Sequence, residues 1–231
     1  MGDASKRFCM FLSLCGLAFC LSSFGMAGSG ANPSGVVEFP NVQGPIAVTS
    51  GPHEHLFASY YGINSFDSTQ RYVTVLETTV KYRLPTENDP AILGLVDLHT
   101  SSFTPLAETR GWNFQQGCMA HWLGTAAASK IIYNDLVDGR FVAIILDVET
   151  REKRIIPFPV SAVSPDGEKA ISINFGRLRI TRPDYGYGGG GQDARADVAF
   201  PEDDGLFLVD LETGEAELLV SIAQVKQQVP E

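Results

Sequence analysis

The sequence predicts an all-β chain, a β-propeller of four-stranded antiparallel blades of which about three are present. Short apolar stretches alternate with turn signals, and no 12-residue stretch after the N-terminal segment shows a convincing helical period. One hairpin occurs three times: an apolar strand ends in Asp97, Asp147 or Asp210, and a tight turn and a return strand follow. These aspartates are 50 and 63 residues apart, close to the spacing of repeated blades.

The N-terminus is predicted to be a targeting segment. Lys6 and Arg7 precede an uncharged run at residues 8–26, which small residues follow. This pattern is typical of a secretory signal peptide at residues 1–30, cleaved within residues 27–31. An uncleaved membrane anchor is the alternative, because the run approaches membrane-spanning length. The predicted location is therefore periplasmic or secreted.

The net charge of the chain argues against polyanionic partners. The formal net charge is −10, which argues against nucleic acid and against an anionic membrane surface. Membrane contact is expected only through an uncleaved N-terminal segment. Cys118 is the one cysteine beyond that segment, so no internal disulfide is expected after cleavage. We interpret it as a small buried residue rather than a nucleophile.

The rest of the chain divides by composition and turn signals. Residues 31–52 contain four prolines and predict an extended lead-in. The blades are predicted at residues 53–110, 111–159 and 160–225, followed by a polar tail at 226–231.

Each predicted blade has four strands, a to d. An insertion at 177–204 accounts for the longer third unit. The alternative is a plain β-sandwich with coincidental turns. In the first predicted blade, strands a to d are 56–63, 71–77, 91–98 and 103–107. In the second they are 118–123, 130–134, 141–148 and 154–158. In the third they are 160–163, 169–175, 205–211 and 217–222.

Two motifs carry a family resemblance. Ser-Pro-Asp-Gly at 164–167 and Val-Asp-Leu-Glu-Thr-Gly at 209–214 resemble the WD40-like repeats of Tol-type periplasmic propellers. Propellers of the oligogalacturonate-lyase and prolyl-oligopeptidase type are similar. The resemblance covers residues 53–222, and the first two units depart from it at 67–70 and 124–126. It implies a fold rather than an activity, because such repeats serve scaffolds and enzymes alike.

Three units do not close a ring, since propellers typically have about 4–8 blades. We interpret the chain as part of a longer propeller. The alternative is self-association, in which the open blade edges pair with another copy.

Strand order predicts which loops share a face. In a four-stranded meander, the d-to-a and b-to-c connections lie on one side and the short turns on the other. The longer loops at 52–55, 111–117, 134–139 and 177–204 are therefore expected together. Function on rigid scaffolds tends to lie in such loops.

Histidines on this face suggest a divalent metal. His53 and His55 are two positions apart in a strand and point the same way, so both could reach one ion with His121 or Gln115. The resemblance to lyase-type propellers, which hold a metal with histidines and a glutamine, implies the same. The alternative is that the histidines cap strands and bond loop carbonyls.

Arginines and tyrosines in the insertion suggest a ligand. Arginine forks suit carboxylates and tyrosines stack on sugar rings, so an acidic saccharide is a coherent ligand. The alternative is that the arginines pair with nearby aspartates to order the loop. The predicted ligand-binding residues are Arg177, Arg179, Arg182, Tyr185, Tyr187, Gln115 and Gln116.

Two functions follow from these patterns. The first is a non-catalytic binding or scaffold module that takes a ligand or a partner protein on its loop-rich face. The second is a carbohydrate-active propeller of the lyase type, acting on acidic oligosaccharides with a histidine-bound metal. No motif of serine hydrolases or zinc proteases is present, and the sequence assigns no catalytic residue.

Overall fold

The computed structural model describes residues 47–49, 51–124, 130–188, 193 and 195–229. The chain divides into two compact units, Met1–Pro45 and Ile46–Glu231, and the second contains all of these residues. The predicted signal peptide and most of the predicted lead-in lie outside them. Within the described ranges, no helix is long and apolar enough to cross a membrane.

The described strands form three four-stranded antiparallel sheets, each a simple meander in chain order. This confirms the predicted fold class of four-stranded antiparallel blades. The first sheet contains β1 (Glu54–Phe57), β2 (Tyr72–Thr78), β3 (Ala91–Asp97) and β4 (Ser102–Thr109). The second contains β5 (His121–Leu123), β6 (Lys130–Val137), β7 (Arg140–Asp147) and β8 (Lys153–Ile156). The third contains β9 (Ala162–Val163), β10 (Lys169–Ser172), β11 (Gly205–Asp210) and β12 (Ala216–Ser221).

The three aspartates that define the repeat occupy equivalent positions. Asp97, Asp147 and Asp210 each end the third strand of a sheet. The carboxylate of each accepts a hydrogen bond from the N–H two residues later, which closes the turn. The residue four positions later has positive φ in every copy and donates its N–H to the aspartate carbonyl. These residues are Ser101, Arg151 and Gly214.

The sheets pack face to face, and the middle one buries both of its faces. Ile131 and Tyr133 pack in the cluster shared with the first sheet. Ile132 and Ala143 pack in the cluster shared with the third. This alternation follows from the period of two along a strand. The three sheets do not close a ring.

The far face of the third sheet carries exposed apolar side chains. Leu206 and Val220 are paired across β11 and β12 and are 36% and 39% exposed. Their side chains lie opposite that of Val209, which packs toward the second sheet. Self-association through open blade edges stays a prediction.

Two short helices correct the sequence-based assignment. The predicted third-blade strand b ends early because Asn174 caps α1 (Phe175–Thr181), accepting a hydrogen bond from the N–H of Arg177. Helix α2 (Ile222–Gln228) follows β12, where an apolar strand end and a polar tail were predicted. A capping box between Ser221 and Gln224 starts it.

The predicted strand a of the first blade is interrupted. Strand β1 ends at Phe57, because the carbonyl of Ala58 accepts hydrogen bonds from the N–H groups of both Cys118 and Ala120. The chain rejoins the sheet at a bridge between Phe66 and Val73. Residues 58–65 therefore form a loop beside the second blade, which we call the inner loop. For the same reason β5 begins only at His121.

Candidate functional site

Two of the predicted long connections, 111–117 and the insertion, meet on one side of the sheets, as the strand order predicts. The predicted loop at 134–139 is instead a tight hairpin turn, because β6 continues to Val137 and β7 begins at Arg140. The indole Nε1 of Trp112 donates to the carbonyl of Asp89 at 2.7 Å. The amide of Asn113 donates to the carbonyl of Tyr185 at 2.7 Å. Loops of the first sheet, the first-to-second crossover and the insertion are thus joined directly.

The insertion is anchored on Asn134. This side chain donates to the hydroxyl of Tyr187 and to the carbonyl of Val160, both at 2.8 Å, and accepts from the N–H of Val160 at 2.7 Å. The ring of Tyr187 stacks on Phe175 with centroids 4.3 Å apart and is 1% exposed. Burial raises the pKa of Tyr187 well above its ordinary value. Tyr187 therefore belongs to the core and offers no ring face to a ligand, contrary to the sequence-based expectation.

The insertion also reaches the first blade. Gly188 lies against the loop before β3, where a Cβ atom would come within 2.1 Å of the carbonyl oxygen of Pro85. Gly186 lies equally close to the backbone of Arg179. We call residues 174–188 the strap, because they connect the third sheet, Asn134 of the second and Pro85 of the first.

The predicted arginine cluster is dispersed among internal partners. Arg177 forms ion pairs with Asp193 at 2.8 Å and Asp204 at 3.1 Å. Arg179 donates to the carbonyl of Pro183 at 2.7 Å. Arg182 is exposed and forms no ion pair within the described ranges. For Arg177 the alternative interpretation applies, because its charge orders the insertion instead of facing a ligand.

The two predicted glutamines lie in a tight turn. The side-chain oxygen of Asn113 accepts from the N–H groups of Gln115 at 2.9 Å and Gln116 at 2.6 Å. The amide of Gln115 lies 3.5 Å from the hydroxyl of Tyr61 on the inner loop. Gln115 is therefore brought to the surface beside the inner loop, whereas the carboxamide oxygen of Gln116 is buried.

An open groove runs between the inner loop and this turn. Four aromatic residues on its walls are strongly exposed: Phe57 by 67%, Tyr61 by 79%, Phe66 by 41% and Phe114 by 42%. None of the lining residues carries a charge. We call it the aromatic groove and define it by Phe57, Tyr60, Tyr61, Phe66, Phe114 and Gln115.

The groove walls are held by aromatic contacts. The ring centroid of Tyr60 lies 4.7 Å from that of Tyr61. It lies 6.1 Å from the ring centroid of Tyr185 in the strap, in an edge-on contact. Burial is the main cause that raises the pKa of Tyr60. Phe114 packs edge-on against buried Trp112 at 5.3 Å. Of the predicted ligand-binding residues, the structure thus brings Gln115 and Tyr185 to one place.

A second, smaller hollow adjoins the groove. It is lined by Tyr82, Arg83 and Leu84 and shares Phe114 with the groove. The guanidinium of Arg83 donates to both carboxylate oxygens of Asp89, at 2.6 and 2.7 Å. Phe114 therefore forms a ridge between two concave surfaces.

The predicted histidine ligands do not converge. His53 and His55 do point the same way, and each has a ring nitrogen 3.2 Å from the carboxylate of Glu77. His55 contacts Phe103 on the face of the first sheet that is turned away from the second sheet. His121 pairs with Ile132 and so faces the third sheet. Its Nδ1 lies 2.7 Å from the carbonyl of Met119, and burial lowers its pKa.

A metal therefore does not fit the set proposed from the sequence. In the described part of the chain, no three His, Cys, Asp or Glu side chains are arranged to hold a metal ion. The sequence reasoning missed Glu77 as the partner of both histidines. The register that places Glu77 opposite His55 is what brings them together.

The solved structures that are similar to this chain include the two described here. The chain is similar to β-propeller proteins. One is an oligogalacturonate lyase in complex with manganese, with 19% identity, a TM-score of 0.44, and coverage of 71% of this chain and 40% of that chain. The other is TolB from Acinetobacter baumannii, with 15% identity, a TM-score of 0.38, and coverage of 78% and 46%. This chain thus spans less than half the length of either relative. No family model and no curated protein matches it.

The Arg83–Asp89 pair makes a prediction about pH. Hydrogen bonds from Arg83, and then from Thr86, hold the pKa of Asp89 well below its ordinary value. A carboxylate with a lowered pKa stabilises the fold above its unfolded pKa, and the effect is lost as pH falls through the folded value. Asp89→Asn should therefore lower the free energy of unfolding at pH 7 by about 1 kcal/mol, since the half-exposed guanidinium is screened by solvent.

Urea unfolding at pH 7 and pH 3 measures this difference. Wild type should lose more stability between the two pH values than Asp89→Asn does. Glu87→Gln is the control, because Glu87 is exposed in the same loop and forms no ion pair in the described part of the structure. Equal pH dependence of Asp89→Asn and wild type would contradict the assignment.

Proposed function

We propose that this chain is an exported, non-catalytic β-propeller module that binds a ligand in the aromatic groove. One observation carries the proposal: Phe57, Tyr61, Phe66 and Phe114 are each more than 40% exposed and line one concave surface. Clustered exposed aromatic side chains in a concave surface are typical of binding sites. Export is supported by the N-terminal sequence pattern alone.

The scaffold around the groove favours preorganised binding. The hydroxyl of Ser59 donates to the carbonyl of Ala120 at 2.6 Å, and Ala58 receives two backbone hydrogen bonds from the second blade. On the other wall, Asn113 closes the turn that carries Phe114. Side chains on such a support lose little conformational entropy when a ligand binds.

The side chains in the groove favour binding over chemistry. Those that line it are aromatic, aliphatic, hydroxyl and amide groups. They suit stacking and hydrogen bonding, whereas general acid–base catalysis usually relies on His, Asp, Glu or Lys at the reacting atoms. A non-catalytic role accounts for this lining.

Substitution of the groove tests the proposal. Tyr61→Ala and Phe114→Ala should each weaken binding by about tenfold or more, because buried aromatic contacts dominate binding energy. The full chain is first screened on arrays of oligosaccharides and peptides, and calorimetry then compares the variants on the best ligand. Phe200→Ala is the control, since Phe200 is 52% exposed and does not line the groove. Ligand binding that survives both groove substitutions would contradict the proposal.

A further inference from the structure

We infer that the groove selects an uncharged saccharide chain, and that the ligand extends across Phe114 into the second hollow. The inference rests on the proposed function and specifies its ligand class. It departs from the acidic saccharide that the sequence suggests.

Charge is the first argument. The groove presents no charged side chain. The guanidinium of Arg83 in the adjoining hollow is paired with the carboxylate of Asp89. The guanidinium of Arg177 in the strap is paired with Asp193 and Asp204. A carboxylate in the groove would lose hydration without gaining an ionic partner. The net charge of −10 adds repulsion, so the lining matches a neutral ligand.

The chemistry of the walls is the second argument. A sugar ring has apolar faces and a rim of hydroxyl groups, so it needs flat apolar surfaces with hydrogen-bonding groups between them. Tyr61 and Phe114 supply exposed faces. The Tyr61 hydroxyl and the Gln115 amide, 3.5 Å apart, supply a donor and an acceptor each. An apolar peptide side chain would leave the hydroxyl proton of Tyr61 and the carboxamide oxygen of Gln115, which their mutual hydrogen bond does not use, without partners on binding.

The shared ridge is the third argument. Because Phe114 lines both the groove and the hollow of Tyr82 and Leu84, a ligand that covers Phe114 contacts both surfaces. A single ring on Tyr61 would leave the second hollow unused. The geometry therefore points to a chain of several sugar residues.

Matched ligands test the inference on the full chain. The panel consists of neutral hexasaccharides of glucose, galactose, mannose and xylose, with the corresponding disaccharides and with a uronic-acid hexamer before and after chemical reduction of its carboxyl groups. At least one neutral hexamer should bind, and its disaccharide should bind more weakly. The uronate should bind about tenfold or more weakly than its reduced counterpart, because its buried carboxylates stay unpaired. Binding of the neutral chain should not change between low and high salt.

Side-chain variants assign the binding to the groove. Gln115→Leu should weaken binding of the neutral chain about tenfold, because sugar hydroxyls lose a partner. Gln227→Leu is the control, since Gln227 is exposed on α2, away from the lining residues. Tyr61→Ala is included to report on the groove itself.

The outcomes separate the two proposals. Salt-dependent preference for the uronate, or binding of peptides alone, overturns the neutral-saccharide inference; if Tyr61→Ala abolishes that binding, the proposed function stands. If no ligand of any class is affected by Tyr61→Ala, both fail.

Discussion

Replacing Asn134 with alanine is expected to lower the free energy of unfolding by about 3 kcal/mol, because several buried polar groups lose their partner at about 1–3 kcal/mol each. Asn134 is 0% exposed. Its amide bonds both the N–H and the carbonyl of Val160, on the crossover to the third blade, and the hydroxyl of Tyr187 in the strap. None of these groups can turn to solvent while the sheets stay packed.

The loss of stability in Asn134→Ala should exceed the loss caused by removing a single hydrogen bond. Tyr187→Phe deletes only the hydroxyl that Asn134 contacts and keeps the ring on Phe175, so we expect a loss of about 1 kcal/mol. The additional loss of stability in Asn134→Ala includes the two hydrogen bonds between its side chain and the backbone of Val160. Those hydrogen bonds connect the second blade to Val160, which lies in the segment between the second and third blades.

Urea unfolding of the full chain, followed by circular dichroism, measures these losses. Asn88→Ala is the matched control, because Asn88 is exposed and its side chain makes no hydrogen bond in the described structure. We expect it to change stability by less than about 0.5 kcal/mol. An Asn134→Ala protein as stable as Asn88→Ala would show that the strap is not held through this residue.

Local chemistry explains why the blades could be predicted. The turn aspartates bind N–H groups two residues away, and alternating side chains mark each strand face, so both signals lie within a few residues. Neither depends on a distant partner. The two helices were also locally encoded: Asn174, and Ser221 with Gln224, are capping residues. They were missed because each helix has only seven residues and shows no repeated period.

Long-range contacts explain what the sequence could not reveal at the site. Tyr60 and Tyr61 continue the apolar pattern of β1, and this local pattern predicts that they belong to the strand. The carbonyl of Ala58 instead accepts hydrogen bonds from the N–H groups of Cys118 and Ala120, about 60 residues later in the chain. The inner loop is therefore not paired in the sheet. One wall of the aromatic groove, the inner loop, is formed by that contact.

The histidine and arginine predictions show the same limit. The period of two correctly placed His53 and His55 on one side of the chain, where Glu77 bridges them. Whether His121 joins them depends on how the second sheet packs, and it faces the third sheet instead. Likewise Arg177 meets Asp204, which is 27 residues away, only after the insertion folds back.

Gly117→Ala is expected to be the second strongly destabilising change, and it follows from the same meeting of the inner loop with the second blade. Gly117 has φ of +59°, and a Cβ atom there would lie 2.3 Å from the carbonyl carbon of Ala58. Backbone cannot move aside as the end of a flexible side chain can. We expect a loss of about 3 kcal/mol or more, from left-handed strain together with overpacking.

Gly62→Ala separates these two contributions. Gly62 also has positive φ, +83°, but no atom lies within 4 Å of its added Cβ. Gly62→Ala should therefore lower the free energy of unfolding only by the cost of the left-handed backbone conformation, about 1 kcal/mol. Urea unfolding of both variants gives the difference, which is the free energy of the close contact between Gly117 and Ala58. Equal losses would mean that this contact is looser than the structure shows. The wall that carries Phe114 would then be free to move relative to the inner loop, and the groove would not be preorganised.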